Sequence, residues 1–305
     1  MIHPDFLRPG DRVALIAPAS CVSEKEIEKA VRSIRSLELE PVVFPGVHEH
    51  HGYLAGSDEV RLKDLHDAFA DDTIRGIFCI RGGFGCGRIL DRVDFELIAK
   101  HPKIFLGFSD IVLLHFNINQ KCGFTTIHGA MPNIDWTRRD PWTVDSIRRW
   151  VFGFPEGPAV IPPEEPLGAL NGGAAEGRIT GGNLSLVVST LGSPWEIDTK
   201  DKILYLEDYV ETDYSIDRMI SALSLAGKFR DAAGVVLGPF LDISREEPRL
   251  PELPVEDIFR EVILPWGKPV LTNYRAGHTY PHMAFPMGAK CRIDADKRTI
   301  EFYRG

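Results

Sequence analysis

A serine, a histidine and an acid, the residue types that together carry out acyl transfer, each occur in this chain where an apolar run gives way to a loop. Ser109 closes IFLGFSD (104–110), and Ile111–Phe116 continues with the look of a helix. Two roles are open to it. It can cap that helix by accepting from an orphaned N–H. It can also be a nucleophile on a strand-to-helix turn, with its hydroxyl exposed and the next backbone N–H aimed at the oxyanion. The G-x-S-x-G elbow is absent, because Ile111 follows Ser109-Asp110. A serine nucleophile needs a base, and the base needs an orienting acid. Of ten histidines, His48, His50 and His51 cluster in VHEHHGY without an H-E-x-x-H partner motif and read as a surface loop. His128 in IHGAM reads as a site-shaping or buried hydrogen-bonded residue. His278 in YRAGHTYPH follows the short strand VLTN in a turn-rich loop, with His282 as its near rival. For the acid, Glu207 ends the alternating run KILYLE, and Glu211 lies in the loop beyond.

A second feature is the glycine-rich RGGFGCG, residues 81–87. A dinucleotide fingerprint belongs after the first strand of a βαβ unit. Here that turn is APAS, without glycine, and no G-x-x-x-x-G-K-[ST] occurs anywhere. Two readings of the loop stay open: a tight turn that needs positive φ, or a set of backbone N–H groups presented to an anion such as the oxyanion of acyl transfer.

These residues need elements to hold them. Residues 11–18, 39–44, 74–80 and 104–107 read as short, near-continuously apolar strands. A helix opens between the first two with the capping box Ser23–Glu26, and residues 58–69 form an amphipathic helix. Strand and helix alternating in this way predict a mostly parallel sheet covered on both faces, with its ligands at the carboxyl ends of the strands. The glycine loop and Ser109 both follow strands, so both belong on that rim. Proline and glycine crowd the stretch around residues 156–173, the expected linker between an N-terminal α/β domain (1–155) and a C-terminal mixed α/β domain (174–305). In the latter, strands are expected at 202–207, 233–237 and 270–272, helices at 215–225 and 255–264, and a closing hairpin from Lys290, with more antiparallel character than in the first.

The totals limit the classes. With 305 residues, 44% hydrophobic and 26% charged, the chain has room for two ordinary folded domains. A net charge of −9 argues against nucleic acid or an anionic membrane as partner. No apolar stretch reaches transmembrane length, and the N-terminus lacks a signal peptide's basic and apolar segments, so a cytoplasmic protein is expected. Five cysteines without a C-x-x-C pair suggest neither a disulfide framework nor a zinc knuckle, and Cys79 and Cys86 read as small core or loop residues.

Taken in order, RGGFGCGRIL, GFSDIVLLH, HGAM, GGNLSLVVSTLGSPW, LYLEDYVETDYSIDRM and GHTYPHMAFPMG resemble the LD-carboxypeptidase family of serine peptidases. The resemblance runs from DRVALIAPAS almost to the C-terminus. It implies a flavodoxin-like, mostly parallel sheet domain followed by a smaller swivelling β/β/α-type domain, and an active site between them. It also implies a homodimer that needs no metal or cofactor. The carry-over makes Ser109 the nucleophile, His278 the base and Glu207 the acid, with Glu211 as the alternative. The backbone N–H groups of Gly83 and Asp110 would form the oxyanion hole, and Arg81 and Asn183 are candidates for substrate binding. The chain departs from the family pattern at Cys86 (usually small and polar), Ala130 (usually proline) and Ile111 (commonly threonine), and none of these touches the triad. The implied reaction releases terminal D-alanine from murein tetrapeptide during cytoplasmic peptidoglycan recycling. A second branch resembles microcin C immunity peptidases, which cleave peptidyl-nucleotide conjugates and carry an ETSE-like stretch where LEDYVE stands here, so the LED form favours murein peptides. A non-catalytic peptide-binding protein is the alternative from another class, and loss of a triad member would have supported it.

Overall fold

In the computed structural model, which describes residues 1–244, 251 and 253–304, the apolar runs become strands of two separate sheets. The chain divides into a first unit, Met1–Pro155 with Met283–Gly288, and a second, Glu156–His282 with Ala289–Gly305.

The first unit contains β1 (Arg12–Ile16), α1 (Glu24–Ser36), β2 (Glu40–Val43), α2 (Asp58–Ala70), β3 (Ile74–Cys79), α3 (Phe95–Lys100), β4 (Ile104–Gly107), α4 (Val112–Cys122), β5 (Thr126–His128) and α5 (Pro141–Val151). Its five parallel strands lie in the order β2-β1-β3-β4-β5, the flavodoxin-like order, whose switch point falls between β1 and β3. The strands are covered on both faces, and Val13, Phe78 and Phe105 are fully buried. That is why they read as unbroken apolar runs and not as alternating ones. At the start of α1, Ser23 Oγ accepts from Glu26 N–H at 3.3 Å and Glu26 Oε2 accepts from Ser23 N–H at 2.9 Å, so the capping box forms as expected.

In the second unit β6 (Gly157–Pro158), β7 (Gly168–Asn171), β8 (Ala174–Asn183), β9 (Lys202–Tyr209), β10 (Gly234–Leu241), β11 (Val270–Thr272), β13 (Lys290–Asp294) and β14 (Thr299–Tyr303) form one sheet. Its order is β6-β14-β13-β8-β9-β10-β11-β7. The centre, β8 to β11, is parallel and both flanks are antiparallel. Helices α6 (Leu184–Ser189), α7 (Asp213–Leu225), α8 (Lys228–Asp231) and α9 (Val255–Val262) accompany it, around a core that includes Leu204, Leu206, Val235 and Phe229.

Two expected boundaries change. Residues 156–173 are not simply a linker, because β6 and β7 within them close the two edges of the second sheet. The stretch after His282 also returns to the first unit, where β12 (Phe285–Met287) pairs antiparallel with β5 and Trp150 Nε1 donates to Ala284 O at 2.8 Å. FPM is too short and too apolar on every position to advertise its partner in sequence. Among the described residues no helix is long and apolar enough to cross a membrane.

Candidate active site

The first unit brings three loops to the carboxyl ends of neighbouring strands, as its switch point requires. They follow β1 (the APAS turn), β3 (the glycine loop) and β4 (the Ser109 turn). Ser20 N–H donates to Gly82 O at 3.1 Å, and Ser20 Oγ accepts from Phe84 N–H at 3.1 Å. The first loop therefore holds the second by its backbone. Gly83 has φ +95°, and a Cβ there would run into Ser20 Oγ, so only glycine fits.

Ser109 itself has φ +61°. A left-handed conformation costs a non-glycine residue about 1–2 kcal/mol, and such strain gathers at functional turns. Ser109 is the first residue of a short 3-10 turn that leads into α4, and the N-cap positions of the turn and of α4 are Phe108 and Ile111. The plain N-cap role is thereby removed. Gly82 lies against it: a Cβ at position 82 would sit 2.9 Å from Ser109 Cβ.

Asp110 is fully buried, and its Oδ2 accepts from Cys86 N–H at 2.7 Å. Burial pushes its carboxyl upward, against the pull of that bond and of Arg61. One side chain thus fastens the Ser109 turn to the glycine loop. Cys86 is fully buried, and burial, with the Asp110 charge, raises its thiol, so it packs and does not react. Arg61 braces the same loop from α2: its Nη1 donates to Pro18 O and Gly85 O, both at 2.8 Å, and Nη2 pairs with Asp58. Arg81 is exposed and lies 3.5 Å from both Glu26 Oε1 and Cys21 O.

The second unit places Glu207 and His278 in direct contact. Tyr205, Glu207 and Tyr209 occupy alternate positions of β9 and so share one face, and all three meet the loop that carries His278. Tyr205 Oη donates to Ala276 O at 2.5 Å. Glu207 Oε2 accepts from His278 N–H at 3.1 Å and bonds Nδ1 at 2.9 Å. A carboxylate can only accept, so Nδ1 carries the proton and Nε2 is left as the basic nitrogen of the neutral ring. Tyr209 stacks on the imidazole at a 5.3 Å centroid distance and 10° between planes. Gly277, at φ +91°, leaves room for the Glu207 carboxyl where any Cβ would collide with it.

Burial alone would lower His278. The hydrogen bond and charge of Glu207, with the charge of Asp208, outweigh it and hold the imidazole above its usual value. His282 is different. Burial and the neighbouring His278 lower it to about 3, and its Nε2 accepts from Gly277 N–H at 3.4 Å. It is a neutral support for the loop. Glu211 lies beyond the end of β9, and of the two carboxylates it is Glu207 that reaches His278.

Asn183 stands at the junction of β8 and α6. It is 4% exposed, its Oδ1 caps α6 at Leu186 N–H (3.3 Å), and its Nδ2 donates to Asp208 Oδ1 at 2.8 Å. Both ends of the amide are thus engaged by the fold. Asp208 also accepts from Tyr209 N–H and Ser185 N–H, and burial pushes it up to about 6 against those bonds, with the Glu207 charge adding. His128 packs in the first unit, stacked on Phe285 at 4.8 Å.

Sequence reasoning passed over Arg61, Tyr205, Asp208 and Tyr209. Strand β9 is buried on both faces from Ile203 to Asp208, so the expected alternation is absent. Only the two-residue spacing of Tyr205, Glu207 and Tyr209 carried a signal for the two tyrosines. Nothing marked Arg61, since an arginine on an amphipathic helix ordinarily faces water. Among the described residues no cluster of three or more His, Cys, Asp or Glu side chains is arranged to hold a metal.

Known proteins match this arrangement along almost the whole chain. The family model for the LD-carboxypeptidase N-terminal domain matches residues 13–129, and that for the C-terminal domain matches residues 176–293. A probable murein peptide carboxypeptidase of Bacillus subtilis is 41% identical over 99% of this chain and 94% of its own length. The murein tetrapeptide carboxypeptidase of Pseudomonas aeruginosa is 30% identical over 94% of each. The microcin C7 self immunity protein MccF, solved in complex with aspartyl sulfamoyl adenosine, superposes with a TM-score of 0.91 over 100% of this chain and 99% of its own, at 20% identity. That last likeness is one of fold.

Proposed function

The chain belongs to the LD-carboxypeptidase family of serine peptidases, and on that premise we propose that it releases the terminal D-alanine of murein tetrapeptide. The observation that carries the reading is the pair of buried Glu207 and half-buried His278, with Nδ1 tied to the carboxylate at 2.9 Å. A histidine held in one tautomer by a fully buried acid is arranged to move a proton at Nε2, and the family's chemistry gives it a serine to serve.

In this reading Ser109 Oγ attacks the carbonyl carbon that follows the L-centre of diaminopimelate or lysine, and its proton passes to His278 Nε2. The carbonyl electrons move onto oxygen, to which the N–H groups of Gly83 and Asp110 donate hydrogen bonds, each worth about 3 kcal/mol in the transition state. Collapse of the tetrahedral species breaks the C–N bond, and the amine of D-alanine leaves with the proton from His278. Water then repeats the sequence on the acyl-enzyme, with His278 as base, and restores Ser109. Glu207 keeps the ring oriented and balances its charge. Arg81 is proposed to meet the free carboxylate of the substrate. Its exposed pairing with Glu26 is of the kind worth about 0–1 kcal/mol, easily exchanged. The family resemblance extends the proposal to a cytoplasmic homodimer working in peptidoglycan recycling.

The test compares murein tetrapeptides ending in D-alanine and in L-alanine, with products read by mass spectrometry for the wild type and Ser109→Ala. Release of D-alanine alone, lost in the variant, is the expected result. Activity retained in Ser109→Ala overturns the nucleophile. Absence of release by the wild type, with cleavage of a peptidyl sulfamoyl adenosine, moves the substrate to the peptidyl-nucleotide class. Binding without cleavage of either makes the chain a peptide-binding protein.

A further inference from the structure

Tyr209 stands in an unusual place for a large aromatic residue. It is 42% exposed at the end of β9, yet its ring lies parallel to His278 at 5.3 Å. Its hydroxyl is held by a hydrogen bond to Asp242. The next residue, Val210, has φ +58° and is 62% exposed. A β-branched residue in the left-handed region is a genuine outlier, and such strain persists only where the surroundings impose it. Here Val210 N–H donates to Leu241 O at 3.1 Å, which fixes the turn at the point where β9 releases Tyr209. A tyrosine serving only to cover the core would need neither exposure nor a strained neighbour.

We propose that Tyr209 is a positioning residue for the reaction: its ring holds the imidazole of His278 by one face and offers a π surface that favours the imidazolium formed during acyl transfer. This rests on His278 acting as the base. Glu207 bonds the ring edge at Nδ1, so the acid fixes rotation about that bond only loosely, and a face contact supplies the missing constraint. Around the ring stand Glu207 and Asp208 from β9 and His282 from its own loop, with Asp242 reached through the Tyr209 hydroxyl. Burial opposes the charged ring, and Glu207 and Asp208 favour it; His282 is neutral. The aromatic face adds to the effect of the two carboxylates without adding charge.

The test uses Tyr209→Leu, which keeps apolar cover over His278 and removes the π face, and Tyr209→Phe, which keeps the ring and loses only the hydroxyl. The His278 titration midpoint is read by NMR in the full-length protein, its signal assigned by its absence in His278→Ala. Tyr209→Leu is expected to lower the midpoint by about half a pH unit and kcat on the tetrapeptide about tenfold with KM unchanged. Tyr209→Phe is expected to stay near the wild type in both. An unchanged midpoint in Tyr209→Leu overturns the inference, as does an equal shift in Tyr209→Phe, which would assign the effect to the hydroxyl and Asp242. Loss of D-alanine release in His278→Ala checks the base separately, so failure of that reading is told apart from failure of the role given to Tyr209.

Discussion

Replacing Gly82 with alanine tests the proposed nucleophile, Ser109, without touching it. The backbone at Gly82 has an ordinary φ, so alanine is conformationally acceptable and the effect is purely steric. A Cβ built there lies 2.9 Å from Ser109 Cβ, 3.2 Å from its Oγ and 3.3 Å from Phe108 O. Carbon atoms rest at about 3.5–4.0 Å, so one side must yield by roughly 0.6–1 Å. The glycine loop has little freedom to do so, since Ser20, Arg61 and Asp110 all hold its backbone. Ser109, already strained, is the side that moves. A displacement near 1 Å at a reacting atom costs on the order of 100-fold in rate. The overpacking itself costs about 1–3 kcal/mol of stability, which leaves the protein folded. Gly87→Ala is the control: its Cβ meets only Leu113 Cδ1, at 3.4 Å, and kcat should stay within about twofold of wild type. The assay is D-alanine release from murein tetrapeptide, paired with labelling of Ser109 by a fluorophosphonate and a urea unfolding curve. A cooperatively folding Gly82→Ala protein with the wild-type kcat, or one no slower than Gly87→Ala, would falsify the claim that the glycine loop and Ser109 form one catalytic surface.

Three further outcomes are expected. Ser109→Gly should unfold at a higher urea concentration than Ser109→Ala, by up to about 1 kcal/mol, because glycine relieves the φ +61° strain that alanine keeps, less its greater freedom when unfolded; equal midpoints would mean that the turn is unstrained. Because His278 must be neutral to accept a proton and sits above its usual range, kcat/KM should rise with pH along an acidic limb centred above about 6.5. Glu207→Gln should shift that limb to lower pH and reduce kcat by about 10³–10⁴, and a limb that does not move would separate Glu207 from the titration.

Much of the site was legible because its parts obey local rules. Ser109 was marked as a candidate by standing where an apolar strand ends and a helix begins, and Glu207 by standing near the end of an apolar strand. The glycine loop was marked by composition, and the capping box at Ser23 by spacing. The role of Asn183 was not legible, because an asparagine after two glycines at the end of a strand looks the same whether it faces a ligand or caps α6. The bracing role of Arg61 was hidden in the same way, since one face of a helix does not reveal which carbonyls lie beneath it.

What the sequence determined by itself is therefore the set of elements and the chemical types at their ends, because hydrophobic period, caps and turn residues act over a few positions along the chain. Tertiary structure decided the rest. It paired Glu207, and not Glu211, with His278, because a hydrogen bond between residues 71 positions apart depends on where β9 and the loop after β11 come to lie. It turned residues 156–173 into sheet edges and sent β12 back to the first unit, because the pairing of a short strand is settled by which edge is left open to it. It also laid Tyr209 on His278, a contact made by the return of a distant loop and written in no local pattern.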